Sequence, residues 1–148
     1  MKLNLPEYNF KIQKRNNKIC IFDPFRKKYV GLTPEEWVRQ NFLAFLVKEK
    51  GYKSSLIIVE ASLKYESLQK RCDALIFDTN GNKVMIVECK SAMVELSQDV
   101  FDQAIRYNYP LGVKYITITN GLVHYCCEID YVSGKYSFRD EIPAFGKW

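Results

Sequence analysis

Three residues of this chain have the side-chain types and spacing to hold a hard divalent cation beside a phosphate: Asp73, Glu88 and Lys90. The dipeptide Asn80-Gly81 is the strongest hairpin signal in the sequence and favours a two-residue type I′ loop. With that loop Thr79 pairs with Asn82, and the same register carried outward sets Asp73 directly opposite Glu88, with Cβ atoms about 4.5–5.5 Å apart. Lys90 lies two residues beyond Glu88 and therefore points to the same face. Two carboxylates facing each other across a sheet repel unless something positive lies between them. Mg²⁺ suits such a place, because it takes one or two carboxylates and completes its shell with water and phosphate oxygens. Taken alone, Glu-x-Lys is a common tripeptide, and the bland reading of these residues is a solvated strand end.

The elements that must position these groups are legible in outline. Val84-Met85-Ile86-Val87 is apolar on both faces, as a central strand should be. Its continuation, Glu88-Cys89-Lys90, directs charge to the sheet's end, where ligand sites of open α/β sheets often lie. Before it, Leu56–Leu63 and Asp73–Phe77 read as strands. Thr33 is a natural N-cap, Pro34 suits the first helical turn, and Glu36 completes a capping box. That helix runs to about Lys50, where Gly51 ends it. A second helix is expected from Ser97 as N-cap to about Tyr107, with Pro110 and Gly112 stopping it. Val113–Thr119, Val123–Ile129 and Lys135–Phe138 read as later strands. At the start, Tyr8–Lys14 and Lys18–Asp23 flank Arg15-Asn16-Asn17 as a hairpin, closed by Pro24. The order predicts an α/β domain with a mixed central sheet and one helix on each side. It reads as one domain over 1–148: an added N-terminal hairpin (1–30), a core (31–120) and peripheral strands (121–148).

Composition narrows the class. The 148 residues are 47% apolar and 14% aromatic, enough for a well-packed core. No run of 18 apolar residues occurs, so no membrane partner is expected. Met1 to Pro6 lacks the marks of a secretory signal, and the expected location is cytoplasmic. Five cysteines, Cys20, Cys72, Cys89, Cys126 and Cys127, form no Cys-x-x-Cys pair, which argues against a disulfide framework. With His124 the single histidine, a zinc site is not expected. The net charge of +5, from 22 basic and 17 acidic residues, is compatible with a nucleic-acid partner without requiring one. No phosphate-loop motif of the G-x-x-x-x-G-K-[ST] or G-x-G-x-x-G type is present.

Asp73 followed by Glu88-Cys89-Lys90, in helix–strand–strand–strand–helix–strand order, resembles the PD-(D/E)XK nuclease superfamily with its restriction-endonuclease-like core. More narrowly, five segments in order resemble the N-terminal nuclease domain of type I restriction enzyme R subunits. They are 33–40 (Thr-Pro-Glu-Glu-Trp-Val-Arg-Gln), 71–73 (Arg-Cys-Asp), 86–90 (Ile-Val-Glu-Cys-Lys), Asp102-Gln103 through Arg106-Tyr107-Asn108, and Thr119-Asn120-Gly121. Cys72 stands where the superfamily name places proline, a position that binds no metal.

The resemblance implies a Mg²⁺-dependent DNA endonuclease, with Mn²⁺ as a substitute. Asp73 and Glu88 would hold the metal, with the Cys89 backbone carbonyl as a further ligand. Lys90 would orient or deprotonate the attacking water and stabilise charge on phosphate oxygens. Glu36 matches the first-helix acidic residue that often supports such sites, although its place in the capping box is a sufficient reason for a glutamate. Gln103 and Tyr107, four apart on one helix face, match a Gln-x-x-x-Tyr pair that contacts the DNA backbone; a partly buried amphipathic face is the alternative. Glu60 is either a third acidic group near the site or a strand-end charge. Lys14 and Arg15, with Lys11 and Lys18 around the first turn and Arg26, Lys27 and Lys28 after it, are candidates for tracking phosphates; a solvated hairpin tip is the alternative. Implied partners are DNA, a second copy of the chain and other restriction-system subunits. The alternative is an inactive nucleic-acid-binding or scaffold domain of the same fold.

Overall fold

The computed structural model describes residues 1–65 and 68–148, with the backbone alone described at 61–65 and 68–70. A three-stranded antiparallel sheet comes first: β1 (Ile12–Arg15), β2 (Lys18–Asp23) and β3 (Lys28–Gly31). Helix α1 (Pro34–Glu49) follows, then β4 (Ile57–Tyr65), β5 (Leu68–Phe77), β6 (Lys83–Cys89), α2 (Gln98–Asn108), β7 (Tyr115–Thr119), β8 (His124–Asp130) and β9 (Lys135–Phe138). The last six strands form one sheet in the order β4-β5-β6-β7-β8-β9. Only β6 and β7 pair in parallel, and α2 lies in the crossover that such a pair requires. The chain is thus a mixed α/β structure with the expected element order.

Each helix covers one face of the large sheet. Val38, Phe42, Leu43 and Leu46 of α1 pack with Ala74, Ile76, Met85 and Val87. Phe101 and Ile105 of α2 pack with Leu75, Ile86, Ile116 and Ile118 on the other face. Full burial of each such side chain contributes roughly 1.5–3 kcal/mol. Ile86 and Val87 are fully buried on opposite faces, as expected of the central strand they occupy.

Helix α1 begins as its sequence demands: the Thr33 hydroxyl accepts from the Glu36 amide at 3.0 Å. Gly51 ends it at φ +75°, where a side chain would be strained. Helix α2 starts after Ser97, but the Ser97 side chain makes no capping hydrogen bond.

Both hairpin turns differ from expectation. Asn16 and Asn17 have φ of +50° and +64°, so the two-residue type I′ loop is here, with Arg15 paired to Lys18. The expectation had included Arg15 in this loop. At Asn80-Gly81 only Gly81 has positive φ, +83°, and its amide donates to the Asp78 carbonyl at 3.1 Å. That is a three-residue loop with a glycine bulge. Asp78 selects it, because its Oδ1 accepts from the amides of both Asn80 and Asn82 at 2.9 Å. Phe77 therefore pairs with Lys83, one position off the expected register. A bulge between Ile76 and Phe77 then shifts the ladder back, giving Ile76–Met85, Leu75–Ile86 and Ala74–Val87. Two offsetting one-residue changes restore the register on which the Asp73–Glu88 argument rests.

Strand boundaries also move: β1 opens at Ile12 rather than Tyr8, and β4 runs to Tyr65 rather than Leu63. β5 opens at Leu68 rather than Asp73, because pairing with β4 extends it. Residues 28–31 add a third N-terminal strand where a hairpin alone was expected.

The N-terminal segment is tied to the β7–β8 turn: the Asn4 amide donates to the Gly121 carbonyl at 2.8 Å. Gly121 has φ +85°, and a Cβ there would meet Leu3 Cδ2 at 2.7 Å and Val38 Cγ2 at 3.2 Å. Gly121→Ala should therefore lower stability by about 1–2 kcal/mol, lowering the melting temperature by roughly 2–4 °C per kcal/mol. A melting curve superimposable on wild type would contradict this.

Candidate active site

The β5–β6 ladder ends at Ala74–Val87, and the candidate groups gather where it stops. Just beyond the last pair, a side chain engages the main chain of the neighbouring strand: Asp73 Oδ2 accepts from the Cys89 amide at 2.7 Å. Asp73 Oδ1 accepts from Arg39 Nη2 of α1 at 2.9 Å. The Asp73 carboxylate is thus fixed from both sides, by the sheet and by the helix.

Glu88 faces α2, where Asn108 Nδ2 stands 3.4 Å from its Oε1. Burial pushes the Glu88 carboxyl up to about 7, and the Asp73 charge adds to that; Asn108 and Lys90 act in the opposite direction. Lys90 is half-buried, and its amide donates to the Thr119 carbonyl at 2.8 Å, extending the β6–β7 pairing. Its charge acts on Glu88 and on Glu35. The structure therefore brings Asp73, Glu88 and Lys90 together. The Cys89 side chain turns into the core under α1, leaving only its main chain at the site; burial pushes its thiol up.

Glu36 occupies neither of its two expected roles in full. Its amide is capped by Thr33, but its carboxylate is buried among cations. Oε1 accepts from Arg26 Nη2 at 2.9 Å and from Arg39 Nη1, and Oε2 accepts from Gln40 Nε2 at 2.8 Å. Arg26 is delivered by the β2–β3 turn, which Asp23 organises by accepting from the Phe25 amide at 2.8 Å and pairing with Arg26 Nε. Glu60, at φ +53°, joins the same group through Arg26 at 3.0 Å and Arg39 at 3.6 Å. It is an acidic group near the site and is partly exposed. Burial disfavours the Arg39 charge, but Glu36 and Asp73 outweigh it and raise its pKa. Burial, then the Asp73 charge, raises the Glu35 carboxyl, against Arg39 and Lys90.

Arg39 and Asn108 were not legible as site residues, and Arg26 read, with Lys27 and Lys28, as a basic stretch that could track phosphates rather than as a partner of Glu36. Arg39 and Asn108 fell inside segments that carried the family resemblance, yet an arginine on a helix reads as a solvated charge. Their partners, 34 and 20 residues distant, give no local signal.

The proposed DNA contacts are placed unevenly. Tyr107, on α2, accepts from the Arg71 amide at 3.1 Å, two residues before Asp73, and so borders the site. Gln103 is exposed one turn earlier on the helix. Lys14 and Arg15 lie at the tip of the β1–β2 hairpin, at the opposite end of β2 from Asp23 and Arg26. Six extended residues span about 20 Å, so the tip is not part of the carboxylate cluster. Arg15 sits 4.1 Å from the Tyr29 ring centroid, and its Nε donates to Gln13 at 3.1 Å.

Among the described residues, no three His, Cys, Asp or Glu side chains converge as a metal cage. All five cysteines are free thiols. His124 lies between the Thr119 hydroxyl at 2.7 Å and the Asn4 carbonyl at 3.0 Å, stacked on Phe42. Among the described residues, no helix is long and apolar enough to cross a membrane.

A mixed sheet with a helix on each face and acidic groups crowded at a strand end is the frame in which the comparisons with known proteins fall. The model of the family "Type I restriction enzyme R protein N terminus" matches residues 34–143, most of the chain. The chain belongs to that family. A solved structure, described as a fragment of an HsdR subunit of a type I restriction enzyme from Vibrio vulnificus YJ016, is similar, with 25% identity and a TM-score of 0.54. The match covers 76% of this chain and 24% of that one, so this chain spans about a quarter of that relative. No curated protein matches it.

Proposed function

We propose that this chain is a Mg²⁺-dependent DNA endonuclease domain of the PD-(D/E)XK type, acting within a restriction system. The observation that carries this reading is the placement of Asp73 and Glu88 together at the end of the β5–β6 ladder, where burial first and the Asp73 charge second raise the Glu88 carboxyl to about 7. Two acidic groups forced together in a partly dry place are better accommodated by a divalent cation than by shared protonation. The donor set fits Mg²⁺ or Mn²⁺: two carboxylates and the Cys89 carbonyl are hard oxygen ligands, and too few to close the shell against water and phosphate. Bound there, the ion would lower the pKa of a coordinated water and polarise the phosphate.

The chain's own groups have distinct tasks in this reading. Asp73, held by Arg39 and the Cys89 amide, presents the lone pairs those bonds leave free. Glu88 supplies the second carboxylate, with Asn108 behind it. Lys90 orients the water and stabilises negative charge growing on phosphate oxygens. Glu36 acts through Arg39 rather than as a direct ligand. Tyr107 and Gln103 follow the DNA backbone along α2.

One observation favours the rival reading of an inactive scaffold: both Asp73 oxygens already accept hydrogen bonds from protein groups. Each oxygen retains a second lone pair, however, so those bonds do not exclude a ligand. The deciding experiment is a Mg²⁺-dependent cleavage assay on labelled single-stranded, duplex and branched DNA. Cleavage of at least one substrate that stops with chelator is expected; none in Mg²⁺ or Mn²⁺ would favour the scaffold.

The hairpin tip gives a separate expectation. If Lys14, Arg15 and Lys18 track phosphates, replacing all three with alanine flattens the plot of log binding constant against log salt by about 0.9 per lost contact. An unchanged slope removes the hairpin from the DNA surface without touching the carboxylate site.

A further inference from the structure

We propose that Arg39 is the positioning residue for Asp73, with Glu36 as its anchor; this rests on the metal-centre reading above. One guanidinium serves two elements at once. Nη2 donates to Asp73 Oδ1 at 2.9 Å on β5, while Nη1 donates to Glu36 Oε1 one turn back on its own helix. The Nε donor is buried with no hydrogen-bond partner among the described residues. A buried donor left unpaired is unfavourable, so the side chain's position is set by its Nη contacts, which also include the longer ion pairs to Glu35 at 3.7 Å and Glu60 at 3.6 Å, and not by its own full satisfaction. Arg39 is 6% exposed, which leaves it little room for another geometry.

The fork geometry is what gives Arg39 its function. With Oδ1 on Arg39 and Oδ2 on the Cys89 amide, the Asp73 carboxylate plane is fixed. Its free lone pairs then have a set direction relative to Glu88. Glu36 in turn is held by Arg26 and Gln40, so the N-terminal sheet, through the β2–β3 turn, braces the site without touching it. A lysine at 39 would keep the charge but present a single ammonium, which cannot place planar donors on both Glu36 and Asp73. Partners that orient metal-binding carboxylates typically contribute 10–100-fold to metal affinity.

The test is Mn²⁺ binding by calorimetry, with cleavage measured as a function of Mn²⁺, on wild type, Arg39→Lys, Arg26→Lys and Glu36→Gln. All four are first checked for folding by circular dichroism. Arg39→Lys should raise the Mn²⁺ dissociation constant about tenfold and shift half-maximal cleavage to higher Mn²⁺, with the KM for DNA unchanged. Glu36→Gln frees the fork while leaving Arg39 and Asp73 in place, so it should move both readouts the same way by less. It also serves if Arg39→Lys fails to fold. Arg26→Lys alters the same ion-pair chain without a contact to Asp73 and should lower melting temperature more than it alters the Mn²⁺ constant. An unchanged or tighter constant in both Arg39→Lys and Glu36→Gln overturns the proposal, as does an equal shift in Arg26→Lys. Wild type that binds no Mn²⁺ overturns the metal reading itself, a result separable from the others because no variant is needed to see it.

Discussion

Glu88→Ala should abolish Mg²⁺-dependent DNA cleavage while leaving metal-free DNA binding equal to or tighter than wild type. The expectation follows from charge. Without metal, Asp73 and Glu88 place acidic groups where a phosphate must approach, so removing one reduces repulsion. In the metal-centre reading the same carboxylates would hold the ion that attracts the phosphate, so removing one would eliminate turnover. Loss of a metal ligand should reduce the cleavage rate by three orders of magnitude or more, the scale of removing the principal charge stabilisation in a catalytic site (roughly 10²–10³ for a single oxyanion donor). Lys90→Ala touches no ligand, and its pattern differs: metal binding persists, cleavage falls, and metal-free DNA binding weakens slightly. Cleavage of labelled DNA and metal-free binding by fluorescence anisotropy, on the same preparations, separate the cases. Glu88→Ala that cuts as fast as wild type would show that the site is elsewhere.

The second large effect is on pH dependence. The folded protein raises the Glu88 carboxyl from 4.5 to about 7, chiefly through burial and then through the Asp73 charge. A group whose folded pKa is raised binds more protons in the native state, so its contribution to stability is fully present below about 4.5 and is lost as pH rises to 7. Between those limits wild type should lose on the order of 2–3 kcal/mol from this group alone. Glu88→Gln cannot ionise and should show a flatter stability curve between pH 4.5 and 7, its advantage over wild type growing toward pH 8. Urea unfolding at pH 5 and pH 8 gives the comparison. If Glu88 is a metal ligand, the same shift makes metal binding release protons near neutral pH, because a protonated Glu88 must ionise to coordinate. The apparent binding enthalpy of Mg²⁺ should therefore change with the ionisation enthalpy of the buffer. Parallel stability curves for the two proteins would refute the assignment of this titration to Glu88.

What the sequence made legible was mostly local. Thr33, Pro34 and Gly51 mark the ends of α1 because caps and left-handed stops act over a few residues. The run 84–87 declared itself a central strand because no exposed strand is apolar on both faces. The turn types were not legible, since Asn-Gly and Asn-Asn both tolerate positive φ. At 78–82 the decision fell to Asp78, whose carboxylate captures two amides and imposes a longer loop. The Ala74–Val87 register, one step short of Asp73 and Glu88, came out as expected although the two-residue turn it was read from is not there, because the bulge between Ile76 and Phe77 offsets the longer loop.

The acidic pair and Lys90 were visible because a hairpin relates them. The ion-pair chain from Asp23 through Arg26, Glu36 and Arg39 to Asp73 was not. It joins four separate elements, and nothing in the spacing of an arginine on α1 announces a partner on β5. The third N-terminal strand escaped for a similar reason: Pro24 reads as a terminator, and Lys28–Gly31 is too short to show a period.

The most direct test of the account is a calorimetric titration of Mn²⁺ into wild type, Asp73→Asn and Glu88→Gln at pH 8. Saturable binding by wild type is expected, lost or weakened at least tenfold in each variant, since each removes one charged ligand from the same ion. Wild type that takes up no Mn²⁺, or variants that bind it as tightly as wild type, would contradict the claim that these two carboxylates form a metal centre.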